Sequence, residues 1–381
     1  MSRSILGILL SILMVFVAAP AVFAADGASV RSKKSTSAKK STTAKKSHAG
    51  KKAAHATHHA KAARHGRVSR AHASKQAHVK MVKRVAIVHG RRHVVYQRVA
   101  YHPAVPAEPS AGELAGLNHT RDPLDLNSNV ALVVDQTSSE VLFEKNANIA
   151  LPIASITKLM TSMIVVEARQ DMGETLVITD DDVDRLKNSS SRLQVGTQLT
   201  RGTMLHLALM SSENRAASAL GRNYPGGLPA FVAAMNAKAR ALGMNDTRYV
   251  DANGLSSRNV ASARDLAKLV VAAEKHPIIG HYSTDTQTEI DADGKTLQYR
   301  NTNHLVSNPD WVIGLQKTGY IHEAGRCLVM QTLIDGRPIV MVFLDSKGKA
   351  SRLSDAGRIR KWLEEMKLQT MTKGKSRNTE G

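Results

Sequence analysis

Apolar residues are distributed along this 381-residue chain in three distinct textures. The first is an apolar run from Ile5 to Val17, preceded by Arg3 and followed by small residues, with Val22 and Ala24 at the two positions of a cleavage site. That arrangement predicts a secretory signal peptide over 1–24, because the run is short for a bilayer span. The second texture, 25–112, carries almost no apolar pattern beyond a weak one near Val82 to Val99 and ends in the Pro-rich join Pro103, Pro106, Pro109. It predicts disorder, with at most a short strand or helix near its end. From about Glu113 the pattern becomes that of a folded domain. Ala131 to Asp135 and Val141 to Lys145 flank a polar turn and predict a β-hairpin; Cys327 to Ile334 and Pro338 to Leu344 flank Asp335-Gly336, a strong two-residue hairpin signal. Between them, helical spacing covers Ser155–Arg169, Thr203–Gly221, Leu228–Leu242 and Ser262–Ala273, and another helix is predicted at Leu353–Leu363. Strands at both ends with helices between predict an α+β domain over 113–368, followed by a polar tail, 369–381.

Charge sharpens the division. No Asp or Glu occurs between Gly27 and Ala107, whereas Arg31 through Arg98 include 20 Lys and Arg, so nearly all of the net charge of +21 belongs to that segment. Lys pairs at 33/34, 39/40, 45/46 and 51/52 repeat every six residues among Ser, Thr and Ala, a composition that cannot bury a core. The rest of the chain is close to neutral. The single cysteine, Cys327, excludes an intrachain disulfide and is expected to be a buried strand residue.

Three short motifs carry candidate chemistry. Ser155-Ile156-Thr157-Lys158 heads an apolar helix. Three residues make nearly one helical turn, so Ser155 and Lys158 share a face. A serine hydroxyl needs a neighbouring base to become a nucleophile, and a lysine serves if burial lowers its pKa. The free N–H groups of a helix start can also stabilise an oxyanion. The same spacing at Ser37–Lys40 and Ser346–Lys349 lies in basic or turn-like sequence. The second motif, Ser212-Glu213-Asn214, offers a hydroxyl that can pass a proton toward a leaving amine and an amide that can hold the lysine and the substrate backbone. Taken alone it also reads as a helix end with capping residues. The third, Lys317-Thr318-Gly319, occurs once, on an apolar strand approach. There an ammonium and a hydroxyl can grip a carboxylate, and glycine admits a substrate backbone. Chance rarely places all three in this order and context.

The ordered trio resembles that of penicillin-binding proteins and active-site serine β-lactamases. Over roughly Leu117 to Glu365 the chain resembles D-alanyl-D-alanine endopeptidases of the Gram-negative periplasm in particular. The stretches that carry this are Leu207–Ala216, Asn223-Tyr-Pro-Gly-Gly227, Ala234–Lys238 and Arg300-Asn-Thr-Asn-His-Leu305, with Glu213 between Ser212 and Asn214. The resemblance implies a β-lactamase/DD-peptidase-like fold, with a central antiparallel sheet flanked by helices and a mostly helical subdomain. It implies a serine peptidase that cuts D-alanyl to meso-diaminopimelyl crosslinks of peptidoglycan and is acylated by β-lactams. By position, Ser155 is the nucleophile and Lys158 the base, with Ser212 and Asn214 relaying the proton and positioning substrate. Lys317 and Thr318 bind substrate beside Gly319, and the N–H groups of Ser155 and Tyr320 form the oxyanion hole. Neither cofactor nor metal is expected.

No Glu-x-x-Leu-Asn element lies between the second and third motifs, so the sequence lacks the deacylating base of a class A β-lactamase. The alternatives are a D-alanyl-D-alanine carboxypeptidase and, from another class, a non-catalytic wall-binding protein. The 62 residues after Gly319 are taken up by a hairpin, a helix and a tail too polar to anchor, which predicts a periplasmic protein free of the membrane or attached only through its basic segment. The basic extension is read either as a solvated spacer or as a segment that binds anionic envelope polymers; export argues against nucleic acid.

Overall fold

The computed structural model describes residues 78–88, 91–101 and 108–377. The expected signal peptide and the Lys-rich repeats lie outside the described residues. Within the segment expected to be disordered, β1 (His78–Val88) and β2 (Arg91–Tyr101) form an antiparallel hairpin, so the weak apolar pattern there marks two strands of eleven residues. Order in the catalytic part begins slightly before the expected Glu113. Ser110 caps a single helical turn, Ala111–Leu114, in a capping box with Glu113, and its hydroxyl donates to Asp345 Oδ2 (2.8 Å).

Both predicted hairpins join one five-stranded antiparallel sheet. Its strands are β3 (Ser128–Asp135), β4 (Val141–Lys145), β5 (Val312–Ile321), β6 (Gly325–Ile334) and β7 (Arg337–Ser346), in the order β5-β6-β7-β3-β4. The turn from β6 to β7 uses Asp335 (φ 53°) and Gly336 (φ 79°), the left-handed pair that lets a two-residue loop follow strand twist.

Alternate residues divide between two cores, as the period of two requires. Val130, Leu132, Cys327, Val329, Val340 and Val342 face the helical side. Ala131, Val133, Leu328, Met330, Met341 and Phe343 face Ala356, Ile359 and Leu363 of the C-terminal helix. Cys327 is a buried strand residue as expected, with its thiol pushed up to about 12 by burial.

The helices are α1 (Thr157–Glu167), α2 (Arg201–Met210), α3 (Asn214–Arg222), α4 (Gly227–Ala241), α5 (Ala263–Glu274), α6 (Pro277–Thr284) and α7 (Ser351–Arg377). Three stretches differ from the sequence reading. Thr203–Gly221, predicted as one helix, breaks into α2 and α3. Ser211 Oγ turns back onto Leu207 O (2.8 Å), Ser212 takes φ 62°, and the Glu213 carboxylate caps α3 through Arg215 N. Helix α6 escaped notice, although Pro277 at its first turn is a start signal. Helix α7 runs on to Arg377 through the expected polar tail, since Glu364 to Gln369 are good helix formers.

Candidate active site

Ser155 sits in a single 3-10 turn, Ala154–Ile156, that leads directly into α1. Ala154 before it takes φ 48°, a left-handed conformation that alanine adopts only when its surroundings impose it. Those surroundings are two glycines. A Cβ on Gly254 would stand 2.0 Å from Ala154 O, and one on Gly319 would stand 2.9 Å from Ile153 O and 3.1 Å from Ser155 N. The backbone at Ser155 is therefore clamped between the loop of Gly254 and strand β5, at distances only glycine permits. Being at a helix start, the Ser155 N–H has no intrahelical acceptor.

One turn on, Lys158 is fully buried and its ammonium contacts Ser155 Oγ (2.8 Å), Asn214 Oδ1 (2.7 Å) and Asn253 O (2.6 Å). Desolvation pushes its pKa down to about 7, and the carboxylates of Asp251 and Glu213 act in the opposite sense. Near neutral pH a substantial fraction is free amine. In that form Nζ has a lone pair to accept the Ser155 proton, while its two remaining hydrogens serve Asn214 and Asn253.

The break between α2 and α3 presents the second motif. Asn214 holds Lys158 through its carbonyl and donates Nδ2 to Ser189 Oγ (2.9 Å). Glu213 accepts from Ser191 Oγ (2.7 Å), so this residue pins the Ser189–Ser191 segment to the motif. Lys187 of the same loop pairs with Glu323 in the turn after β5. Ser212 lines a polar cavity with Ser190, Arg192 and Asn214, but its hydroxyl makes no hydrogen bond among the described residues.

The third motif lies on β5. Lys317 is fully buried, and its ammonium has one hydrogen bond, to Thr318 O (3.0 Å). Desolvation lowers its pKa well below that of a free lysine, and the charges of Lys158 and Arg352 lower it further. Thr318 shares a hydrogen bond with Thr302 (Oγ1 to Oγ1, 2.6 Å). Tyr320 follows Gly319 on the same strand; its ring is exposed and stacked under Arg326.

The structure thus brings Ser155, Lys158 and Asn214 into direct contact and sets Gly319 against Ser155. Several participants had escaped the sequence reading. Asp251 accepts from Asn253 N (3.1 Å), Gly254 N (2.6 Å), Ser256 N (2.8 Å) and Asn259 Nδ2 (2.7 Å), which fixes the loop that offers Asn253 O to Lys158. Asn259 also donates to Thr157 Oγ1 (3.1 Å). The Asn253-Gly254 dipeptide was a turn signal, but nothing in it marks a carbonyl as a lysine's partner. Thr302 belongs to a stretch quoted above only for its resemblance.

A family model described as D-alanyl-D-alanine carboxypeptidase, peptidase S11, matches residues 117–348, more than half of the chain. The chain belongs to this family. It is a serine peptidase, hence a hydrolase, of the penicillin-binding class. Among relatives, the D-alanyl-D-alanine endopeptidase of Pseudomonas aeruginosa is 49% identical over 242 residues, which cover 63% of this chain and 78% of that protein. That of Escherichia coli is 43% identical over 267 residues, 70% of this chain and 86% of the relative. Among solved structures, penicillin-binding protein D2 from Listeria monocytogenes in the cefotaxime-bound form is similar with a TM-score of 0.55 at 27% identity, covering 63% of this chain and 98% of that one. The expected fold, a central antiparallel sheet with helices, is the fold of this family.

Proposed function

We propose that this family member is a DD-endopeptidase that opens D-alanyl to meso-diaminopimelyl crosslinks in peptidoglycan through an acyl-enzyme on Ser155. The observation that carries the mechanism is the buried Lys158 with its ammonium 2.8 Å from Ser155 Oγ and a pKa near 7. Ser155 Oγ attacks the D-alanyl carbonyl carbon as its proton passes to Lys158 Nζ. The oxyanion is met by the N–H groups of Ser155 and Tyr320, on the two chain segments that Gly319 brings together. Collapse breaks the C–N bond; the leaving amine takes its proton from Lys158 by way of Ser212, while Asn214 keeps the lysine in place. Water then cleaves the ester. Lys317 has one hydrogen bond where an ammonium can make three, and a substrate carboxylate would complete its partners and restore its proton. Thr318, tied to Thr302, lies on the same strand.

The choice of endopeptidase rests on the names of the two relatives at 49% and 43% identity; the carboxypeptidase reading rests on the family's own description. Digestion of purified crosslinked muropeptide dimers separates them. Monomers are the expected product, and loss of terminal D-alanine without monomers moves the assignment to carboxypeptidase. A fluorescent penicillin tests the chemistry: wild type should label and Ser155→Ala should not, and an unlabelled wild type would restore the non-catalytic wall-binding reading. The expected signal peptide over 1–24 and the chemistry of the proposed substrate support a periplasmic location. No helix among the described residues is long and apolar enough to cross a membrane. The Lys-rich extension is proposed to hold anionic envelope polymers by charge, and equal retention on isolated cell walls with and without 32–102 would exclude this.

A further inference from the structure

Strands β1 and β2 pair over their whole length, from His78 opposite Tyr101 to Val88 opposite Arg91, and among the described residues no other strand joins them. A two-stranded ribbon is marginally stable in water by itself. Strand alternation places Met81, Lys83, Val85 and Ile87 on one face, and the register sets positions Arg98, Tyr96, Val94 and Arg92 beside them. Five of these are large apolar residues that remain open to solvent: Met81 52%, Val85 57%, Ile87 72%, Val94 49% and Tyr96 60% exposed. Such a concentration of exposed apolar side chains marks an interaction surface. It is interleaved with cations. The two strands contain Lys80, Lys83, Arg84, Arg91, Arg92 and Arg98, and no Asp or Glu occurs from 27 to 107.

We propose that this hairpin docks on an anionic lipid bilayer, its apolar side chains entering the headgroup boundary and its Lys and Arg meeting lipid anions. The combination selects the partner. A soluble polyanion satisfies the cations but offers no apolar phase to Ile87 or Tyr96. A second copy of the hairpin would bring like charges together with no acid to offset them. An anionic bilayer supplies both halves of the complement. The inference is independent of the peptidase chemistry and goes beyond charge-only binding by the Lys-rich repeats.

Since those repeats are also cationic, the decisive readout is resistance to salt. The chain from Ala25 to Gly381 is titrated with phosphatidylglycerol-containing vesicles and with pure phosphatidylcholine vesicles at low and high NaCl. At about 0.5 M salt the screening length falls to roughly 4 Å and attraction between separated charges is largely lost. Wild type should stay on the anionic vesicles with less than about a tenfold loss of affinity. The variant Met81→Thr, Val85→Thr, Ile87→Thr, Val94→Thr, Tyr96→Thr keeps its cations and strand propensity, so it should bind at low salt and be released at high salt. Ile87→Trp, which enlarges the apolar face without disturbing pairing, should tighten salt-resistant binding several-fold. Equal release of wild type and the threonine variant by salt would reduce the hairpin to a polyanion site and overturn the proposal. So would equal binding to phosphatidylcholine, or self-association of wild type that the threonine variant loses.

Discussion

Gly254→Ala isolates the clamp on Ser155, the nucleophile of the proposed mechanism. A Cβ at this position would lie 2.0 Å from Ala154 O, 2.4 Å from Ala154 C and 2.9 Å from Ser155 N, all of them backbone atoms that cannot swing aside. Carbon and oxygen rest at about 3.3 Å or more, so the Ala154 carbonyl or the Gly254 loop has to yield by more than about 1 Å. Either movement reaches Ser155, and a misplacement of that size at a reacting group costs on the order of 100-fold in rate. The new side chain would also occupy φ 81°, a left-handed conformation that costs roughly 1–2 kcal/mol in stability. The two effects can be separated with Gly243→Ala. Gly243 has a comparable φ of 68° but nothing within 4 Å of its would-be Cβ, so it carries the conformational cost without the collision. Stopped-flow acylation by a fluorescent penicillin, beside thermal melts of all three proteins, gives both quantities. Both variants should melt lower, and only Gly254→Ala should acylate slowly. Acylation of Gly254→Ala within about threefold of wild type, or equal slowing in both variants, would refute the reasoning.

Other outcomes follow from the same geometry. In the proposed mechanism acylation requires neutral Lys158, so kcat/KM should rise with pH through a limb near the lysine's pKa of about 7. Because the Asp251 carboxylate raises that value, Asp251→Asn should move the limb to lower pH; an unmoved limb, or one displaced upward, contradicts this. Asn214→Ala removes the lysine's acceptor and the donor to Ser189, and a loss of about 100-fold in acylation with an unchanged melting profile is expected from the displaced base. Away from the site, buried Asp355 accepts from Asn127 N, Ser128 N and Ser128 Oγ, tying α7 to the start of β3. Asp355→Ala strands those donors, which should cost about 3 kcal/mol and lower Tm by roughly 6–12 °C in calorimetry.

The parts legible in the sequence were those in which a local pattern and its structural cause coincide. Asp335-Gly336 announced a hairpin because the turn itself needs left-handed φ, and Ser262 announced the start of α5 because its hydroxyl caps Asp265 N. Ser155 was separable from two other Ser-x-x-Lys tetrads by the apolar helix behind it. What stayed hidden depends on the backbone of distant segments. The Asn253 carbonyl on Lys158 and the approach of Gly254 to Ala154 leave no mark on residue type beyond an ordinary turn. The interruption at Ser211 to Glu213 was concealed by apolar spacing that continues in phase across it, though the cleft depends on that break to present Ser212 and Asn214. The hairpin β1–β2 was obscured by the cations that interrupt its alternation.

The order of the sheet bears on how the enzyme comes into being. Strand β3, among the first of the domain to leave the ribosome, lies in the sheet between β4 and β7, and Asp135 pairs with Ile339, some two hundred positions later. Contacts of such high order are slow to form, and here they require the last part of the chain to have been made. Strand β5, which clamps Ser155, is held to that same late sheet through β6. Ser155 therefore acquires its geometry only near the end of folding. An incompletely synthesised or incompletely exported chain carries Ser155 and Lys158 without an assembled site, and hydrolytic power against the wall is withheld until the whole domain has closed.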